Sequence, residues 1–505
     1  MTAAPLRVAV AAPHPTAVEA AGHAVAAGGG AVEAAVAAAV ALAVVYPHQC
    51  SLGGDLVALV RSPDGQVRAV LSAGAAGSGA DPERLRRASG ERMPAQGPHT
   101  VTVPGAMAGW AELARLGGRF GSLSAALRYA AGQAAEGTRV SAGLARAITA
   151  REDAIRADAG LRALLTRDGV PMAEGDQLRQ PRLAATLHSL ADDPRSFYQG
   201  LVADTLAAAV EPLTSADFAA HRAEIGTPLT LSAPDGTHWW AAPPPFQGAT
   251  ALALLAEPPS VRTVRAAVAR RDELLGDPRR ALVDVDGMLH PDDGALAPAG
   301  PPGRAAGDTV AVTAVDSEGW AVSLIQSVYQ WFGSGICEPE TGIVLHNRGS
   351  AFSLEPGHPA LLGPGLRPPH TLCPLLGLAE GGMLLAVGCQ GGRAQPQILA
   401  QTAPALSAPD ADPADVVARP RWVIGARDLG FEQETLLAEP GARPGELPGD
   451  LPLARTAGPE DDCGHVQTAR LHPDGRLDAA ADPRADGHSA VFTGTHPVRG
   501  PVHTS

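Results

Sequence analysis

Gly307-Asp-Thr-Val-Ala-Val-Thr-Ala-Val-Asp316-Ser-Glu-Gly-Trp-Ala-Val-Ser-Leu-Ile-Gln-Ser-Val-Tyr329 is the stretch whose reading decides the fold. The pattern alternates from Thr309 to Asp316, turns at Asp316-Ser-Glu-Gly319 and alternates again to Tyr329. Period two on both sides of a turn predicts a β-hairpin. The segment ahead of it, Asp286 to Gly307, includes the run Ala297-Pro-Ala-Gly-Pro-Pro-Gly303 and reads as an exposed, extended connection. Thr309 is therefore a hydroxyl residue at the first place of a strand, directly after a long connection. If the chain were cut before it, the new α-amino group, with a reference pKa of about 7.7 to 8.0, would sit beside its own hydroxyl as an intramolecular base. Thr at a strand start is common, so spacing alone leaves a purely structural reading open.

Working outward, Met383-Leu-Leu-Ala-Val387 is a buried-strand run that enters Gly388-Cys-Gln-Gly-Gly392, and a helix is expected from about Gln395 to Ala405. Between a strand and a helix, the N–H groups of Gly391 and Gly392 can point into one space with the helix dipole behind them, which suits an oxyanion. Such turns also need glycine for geometry alone. Ala17 to Val45 reads as two helices broken at Gly28 to Gly30, and Leu56 to Leu71 as a hairpin around Pro63-Asp-Gly65. Leu113 to Leu127, Ala142 to Leu165 and Leu201 to Val210 carry helical spacing. Trp239-Trp240 reads as packing, and His370 stands in a short Pro-bracketed loop, Arg367-Pro-Pro-His-Thr-Leu-Cys-Pro374.

Composition closes several classes of chemistry. Of 505 residues 45% are apolar, enough for a large core, and none of the 39 basic residues is lysine. No side-chain Schiff base and no GxxxxGK[ST] phosphate loop can therefore form. Asparagine is as scarce, with Asn347 alone, and both absences fit a genomic base composition poor in A-rich codons. A net charge of -14 without a basic cluster argues against nucleic acid as a partner. There is no HExxH and no Cys/His zinc spacing, so no metal is expected. The five cysteines show no CxxC, and no signal peptide or membrane span is read. A reduced, cytoplasmic chain without a membrane partner is the expectation.

Taken together these segments resemble the γ-glutamyltransferase family of N-terminal nucleophile hydrolases over nearly the whole chain. Gly28-Gly-Gly-Ala-Val-Glu-Ala-Ala35 is similar to the family's GGNAVDAA, Ser51-Leu-Gly-Gly-Asp55 to its GIGGD and Pro104-Gly-Ala-Met-Ala-Gly-Trp110 to PGTVAGF. Thr309 stands seven residues before Asp316, as the family's catalytic threonine does before its aspartate. Phe332-Gly-Ser-Gly335, Gly342-Ile-Val-Leu345, Arg367-Pro, Gly388-Cys-Gln-Gly-Gly392 and Asp482-Pro-Arg-Ala-Asp-Gly487 follow in order.

The resemblance implies an α+β fold of four layers, αββα, needing no cofactor. It implies self-cleavage between Asp308 and Thr309, giving a large region, 1–308, and a small region, 309–505, that stay associated as one domain. Thr309 would then form an acyl-enzyme from an amide, with Ser327 supporting the nucleophile and Gly391 and Gly392 holding the oxyanion. Departures bear on the substrate. The segment matching the family's carboxylate-binding arginine, Leu71 to Ser78, has no arginine, and Ala351 replaces the aspartate that takes the α-amino group. His370 and Thr371 stand where two serines assist the carboxylate. The chain looks like the oxamate amidohydrolase-like, cytoplasmic branch, in which Arg348 or Arg367 with His370, Thr371 and Asn347 would bind a small carboxylate-bearing amide. A true γ-glutamyltransferase or glutathione hydrolase, and an unprocessed, non-catalytic binding homologue, are the alternatives.

Overall fold

In the computed structural model the predicted hairpin is present as the strands Asp308–Asp316 and Ala321–Tyr329, at the centre of a seven-stranded sheet. The structure describes residues 5–118, 121–291, 308–426, 429–446 and 448–494. Most of the connection predicted ahead of Thr309 and the tail from Thr495 fall outside the described residues. Across the sheet the order is His488–Gly494, Leu6–Ala12, Asp308–Asp316, Ala321–Tyr329, Asp55–Arg61, Val67–Ser72 and Glu224–Gly226, each neighbour antiparallel to the next. A second antiparallel sheet of six strands runs Leu477–Ala481, His465–Leu471, Leu384–Gln390, Leu375–Leu378, His238–Ala241 and Leu229–Ser232.

The alternation of the central strand explains how the layers stack. Val310, Val312 and Ala314 pack into a core shared with helices, whereas Ala311 and Val315 pack into a different core between the two sheets, with Ile325, Leu376, Leu384, Ala386 and Ala469. Helices Pro15–Ala26, Ala31–Val45, Ala106–Gly117 and Ser122–Glu136 cover the outer face of the first sheet. Gly248–Leu255, Gln395–Leu406 and Pro413–Ala418 cover that of the second. Four layers, αββα, result, with every strand residue at the centre meeting apolar neighbours on one face or the other.

All of Ala31–Val45 is buried. Its alanines let the helix lie close to sheet and neighbouring helices. Its start is held twice: Gly30 N donates to Glu33 Oε2 at 2.8 Å, and Ala31 N donates to Asp316 Oδ2 at 3.0 Å. Asp316, which ends the central strand, thereby ties the hairpin to the helix layer.

Two helical readings come out divided. Leu113 to Leu127 spans the end of Ala106–Gly117 and the start of Ser122–Glu136, parted where Gly118 and Gly121 take left-handed backbone at φ 74° and 81°. Ala142 to Leu165 is three short helices, the last capped by Asp158, which accepts from Leu161 N at 2.7 Å. Trp239 is fully buried behind the second sheet, in keeping with packing.

Candidate active site

Thr309 is buried at the start of the central strand, and its Oγ1 donates to Ser327 Oγ across the hairpin at 3.1 Å. The hairpin is irregular at this one place. Asp308 pairs with Tyr329 and Val310 with Gln326, so Thr309 alone faces both Ser327 and Val328. A bulge of this kind bends the strand and re-aims side chains, and bulges recur beside active sites. Ser327 Oγ also accepts from Tyr329 N at 2.8 Å. Tyr329 itself has φ 78°, a left-handed conformation costly for a bulky residue.

The second sheet packs against the same hairpin through Gly388. A Cβ there would stand 3.1 Å from Ala311 Cβ and 3.2 Å from Ser323 Oγ, and Ser323 Oγ donates to Val387 O at 2.8 Å. The strand Leu384–Gln390 then leads into Gly391, at φ 144°, and Gly392, at φ 52°. The φ of 144° at Gly391 is one that other residues rarely adopt, and a Cβ there would also displace Ile398 Cδ1, 2.3 Å away. The helix Gln395–Leu406 begins just beyond.

Around the hairpin end lies a buried polar cluster. Arg348 is 1% exposed and stacks over the Tyr329 ring, 3.8 Å from its centroid. Its Nη2 donates to Thr371 Oγ1 at 3.1 Å, while Nε and Nη1 have no hydrogen-bond partner and no carboxylate among the described residues pairs with it. Burial lowers its pKa to about 10, which still leaves it a cation at neutral pH. A buried guanidinium with two unused donors is rare in a finished core.

Asp55, fully buried, organises the remainder. Its Oδ1 accepts from Gly74 N at 3.1 Å and Gly105 N at 3.2 Å, and its Oδ2 lies 3.1 Å from His370 Nε2. His346 Nδ1 stands 3.3 Å from the same oxygen but out of line for a hydrogen bond, its Nε2 facing Thr102 O at 2.9 Å. Burial pushes the Asp55 carboxyl up, yet the two imidazoles outweigh it and hold the group well below the usual carboxylate range. Its backbone pairs with Ser327, and Gly54 must be glycine because a Cβ there would come 2.5 Å from Ser327 O. His370, buried against Phe246, has its pKa lowered to about 3 by burial and then by Arg348.

The structure thus brings Thr309, Ser327, Arg348, His370 and Thr371 to one end of the hairpin. It places two other predicted residues differently. The Arg367 guanidinium is spent on Asp277, at 2.9 Å from Nη2, and on Glu224, at 2.9 Å from Nη1. Asn347 holds loops together: its Nδ2 donates to Ala95 O at 2.7 Å and its Oδ1 accepts from Gln330 N at 3.1 Å. Asp55, His346, Tyr329 and Gln247 were not singled out by sequence as site residues. Gln247 Nε2 donates to Thr371 O and, at 3.2 Å, to Gly392 O, so one amide joins the glycine turn to the polar cluster. Of these, Asp55 carried a sequence signal in the GGD motif that it ends. Among the described residues no cluster of His, Cys, Asp and Glu could hold a metal, and no helix is long and apolar enough to cross a membrane.

Two facing antiparallel sheets between helix layers, with a buried hydroxyl at the start of a central strand, define the αββα N-terminal nucleophile hydrolase fold. The Gamma-glutamyltranspeptidase family model matches residues 17–492, and the chain belongs to that family. It is 38% identical to the oxamate amidohydrolase proenzyme of Klebsiella pneumoniae, over 92% of this chain and 94% of that one. It is 31% identical to the glutathione hydrolase-like YwrD proenzyme of Bacillus subtilis, over 95% and 97%. Among solved structures it superposes on a cephalosporin acylase from Bacillus halodurans with a TM-score of 0.83 and 28% identity, covering 96% of this chain and 95% of that one. The chain is accordingly an enzyme of amide hydrolysis or acyl transfer, as its hydrolase and acylase relatives are.

Proposed function

We propose that the chain is a self-processing threonine amidohydrolase acting on a small amide that bears a carboxylate. The observation that carries this reading is Arg348, a buried cation with two unused donors one ring away from the hairpin end that holds Thr309. In processing, Thr309 Oγ attacks the carbonyl carbon of Asp308, the peptide C–N bond breaks, and the acyl group passes from nitrogen to oxygen as an ester. Water hydrolyses the ester, leaving a carboxylate on Asp308 and a free α-amine on Thr309. The bulge, whose extra residue lies in the partner strand at Ser327 and Val328, turns Ser327 toward Thr309 beside the scissile bond. The two products, 1–308 and 309–505, remain one domain because Asp308–Asp316 is hydrogen-bonded on both sides to strands of the first sheet.

In turnover the α-amine takes the Thr309 hydroxyl proton while Oγ attacks the substrate amide carbon. The N–H groups of Gly391 and Gly392 receive the oxyanion, and the amine returns its proton to the leaving nitrogen. Ser327 orients Thr309 Oγ through the 3.1 Å hydrogen bond. Water then hydrolyses the acyl-enzyme. Arg348, held by Thr371 and Tyr329, takes the substrate carboxylate as a buried cation with an unused N–H donor. The oxamate amidohydrolase relative supports a substrate of this size, and Ala351 removes the partner an α-ammonium would need.

Intact-mass measurement of the purified protein tests the mechanism. Two chains, one beginning at Thr309, are expected, with Thr309→Ala giving a single chain and no amide turnover. A single uncut chain that turns over amides would overturn it. Turnover of oxamate well above that of γ-glutamyl-p-nitroanilide is the expected substrate order.

A further inference from the structure

Four buried atoms of the polar cluster lack hydrogen-bond partners: Arg348 Nε, Arg348 Nη1, His370 Nδ1 and His346 Nδ1, the last facing Asp55 Oδ2 at 3.3 Å. Their chemical signs differ. The Asp55 carboxylate already accepts two backbone N–H groups and faces His370 Nε2 at 3.1 Å, so the His370 proton belongs on Nε2. Nδ1 is then a lone pair, an acceptor that nothing fills. The positive neighbour Arg348 and full burial keep the ring neutral. We infer that the acyl pocket is built for a carboxylate flanked by a neutral hydrogen-bond donor, a hydroxyl or an amide N–H, and that His370, oriented by Asp55, is the residue that reads that donor.

The physical reason is one of charge and direction. A buried cation whose N–H donors are not all used suits a carboxylate, and the donor it takes would otherwise stay unpaired. An acceptor beside them needs a donor, but an ammonium there would lie next to the Arg348 cation without a carboxylate of its own, because the position matching the family's aspartate is Ala351 and Asp55 is already engaged by Gly74, Gly105 and His370. A neutral donor meets both demands. An α-ammonium meets only one, and a bare methylene leaves the His370 acceptor dry. This refinement rests on the proposed carboxylate-bearing substrate, and it concerns recognition alone.

Binding of free acids separates the two, since it needs no chemistry at Thr309. Propionate, lactate and alanine share a three-carbon carboxylate frame and differ only in carrying hydrogen, hydroxyl or ammonium at the α carbon. Titration calorimetry, or competition against oxamate turnover where that is present, should rank lactate about 3- to 10-fold tighter than propionate, with alanine the weakest. His370→Phe should bring the lactate-to-propionate affinity ratio to about one, and Arg348→Gln should abolish binding of all three. Alanine binding as tightly as lactate, a lactate advantage that survives in His370→Phe, retention of binding in Arg348→Gln, or no binding of any acid would each overturn the inference. Failure of chain cleavage with this ranking intact would instead count against the proposed mechanism only.

Discussion

At the scale of single residues, the candidate nucleophile was legible in the sequence and much of its support was not. Thr309 could be found because a change of period, a turn and the place after a long connection are all local signals. Choosing between Arg348 and Arg367 was not possible locally, since both sit in loops with histidine nearby. The choice depends on Asp277 and Glu224, which lie 90 and 143 residues before Arg367 and pair with it through the fold. Asn347 is placed by long-range contacts in the same way. Its survival in a composition that excludes asparagine is explained by two backbone partners, Ala95 and Gln330, rather than by a ligand. Ser327 is the sharpest residue-scale prediction. If its hydroxyl orients Thr309 Oγ, Ser327→Ala should slow both chain cleavage and amide turnover by about 10- to 100-fold, the range expected for losing a hydrogen bond to a group that gains charge. Because Ser327 Oγ also accepts from Tyr329 N, Ser327→Thr should restore part of both rates. Time-resolved gels for cleavage and ammonia release for turnover provide the readouts, and equal rates in wild type and Ser327→Ala would remove Ser327 from the machinery.

At the scale of elements, the hairpin and the strand before Gly391 could be read because their apolar residues are dense and their turns carry Gly and Asp. The strands His465–Leu471, Leu477–Ala481 and His488–Gly494 gave no such signal, being mixed with His, Asp, Arg and Ser. Their pairing with Leu384–Gln390 and Leu6–Ala12 is a tertiary decision that no local pattern announces. The sheet interface has its own test at Gly388, where the two layers meet closely. Gly388→Val forces the added carbons against Ala311 and Ser323, and overpacking of this kind costs about 1–3 kcal/mol. It should also displace the turn at Gly391 and Gly392, lowering turnover more than stability alone explains. Gly449→Ala, where a Cβ meets open space, serves as the control and should leave both unchanged. Urea midpoints with kcat on the folded protein decide it; a Gly388→Val protein with normal stability would contradict the close approach of the sheets.

At the scale of the whole molecule, the four-layer order follows from one strand whose two faces are apolar, and it has a consequence for pH. Burying so much of the chain also buries histidines that the unfolded state would expose. Burial lowers the pKa of His14 and His221 to about 4 and of His48 and His370 to about 3, against an unfolded value near 6.5. Below that value the unfolded chain holds protons at these four sites that the folded chain refuses, so unfolding takes up protons and acid drives it. Stability is therefore fully present above about pH 6.5 and is lost as pH falls toward 4, at no more than about 5 kcal/mol per pH unit with all four contributing. Asp461, held down to about 2 chiefly by its hydrogen bond and charge contact with His465 against the opposing effect of burial, loses stability in the same direction at still lower pH. Asp316 opposes them, because burial raises its pKa to about 6, and it offsets one proton of the slope between about pH 4 and 6. Melting temperatures measured from pH 8 to 5 should be level at first and then fall steeply below about pH 6.5, with His48→Gln reducing the steepness by about one proton. A melting temperature that holds steady or rises on acidification to pH 5 would show that these rings are charged inside the fold, and the neutral His370 on which substrate reading depends would go with them.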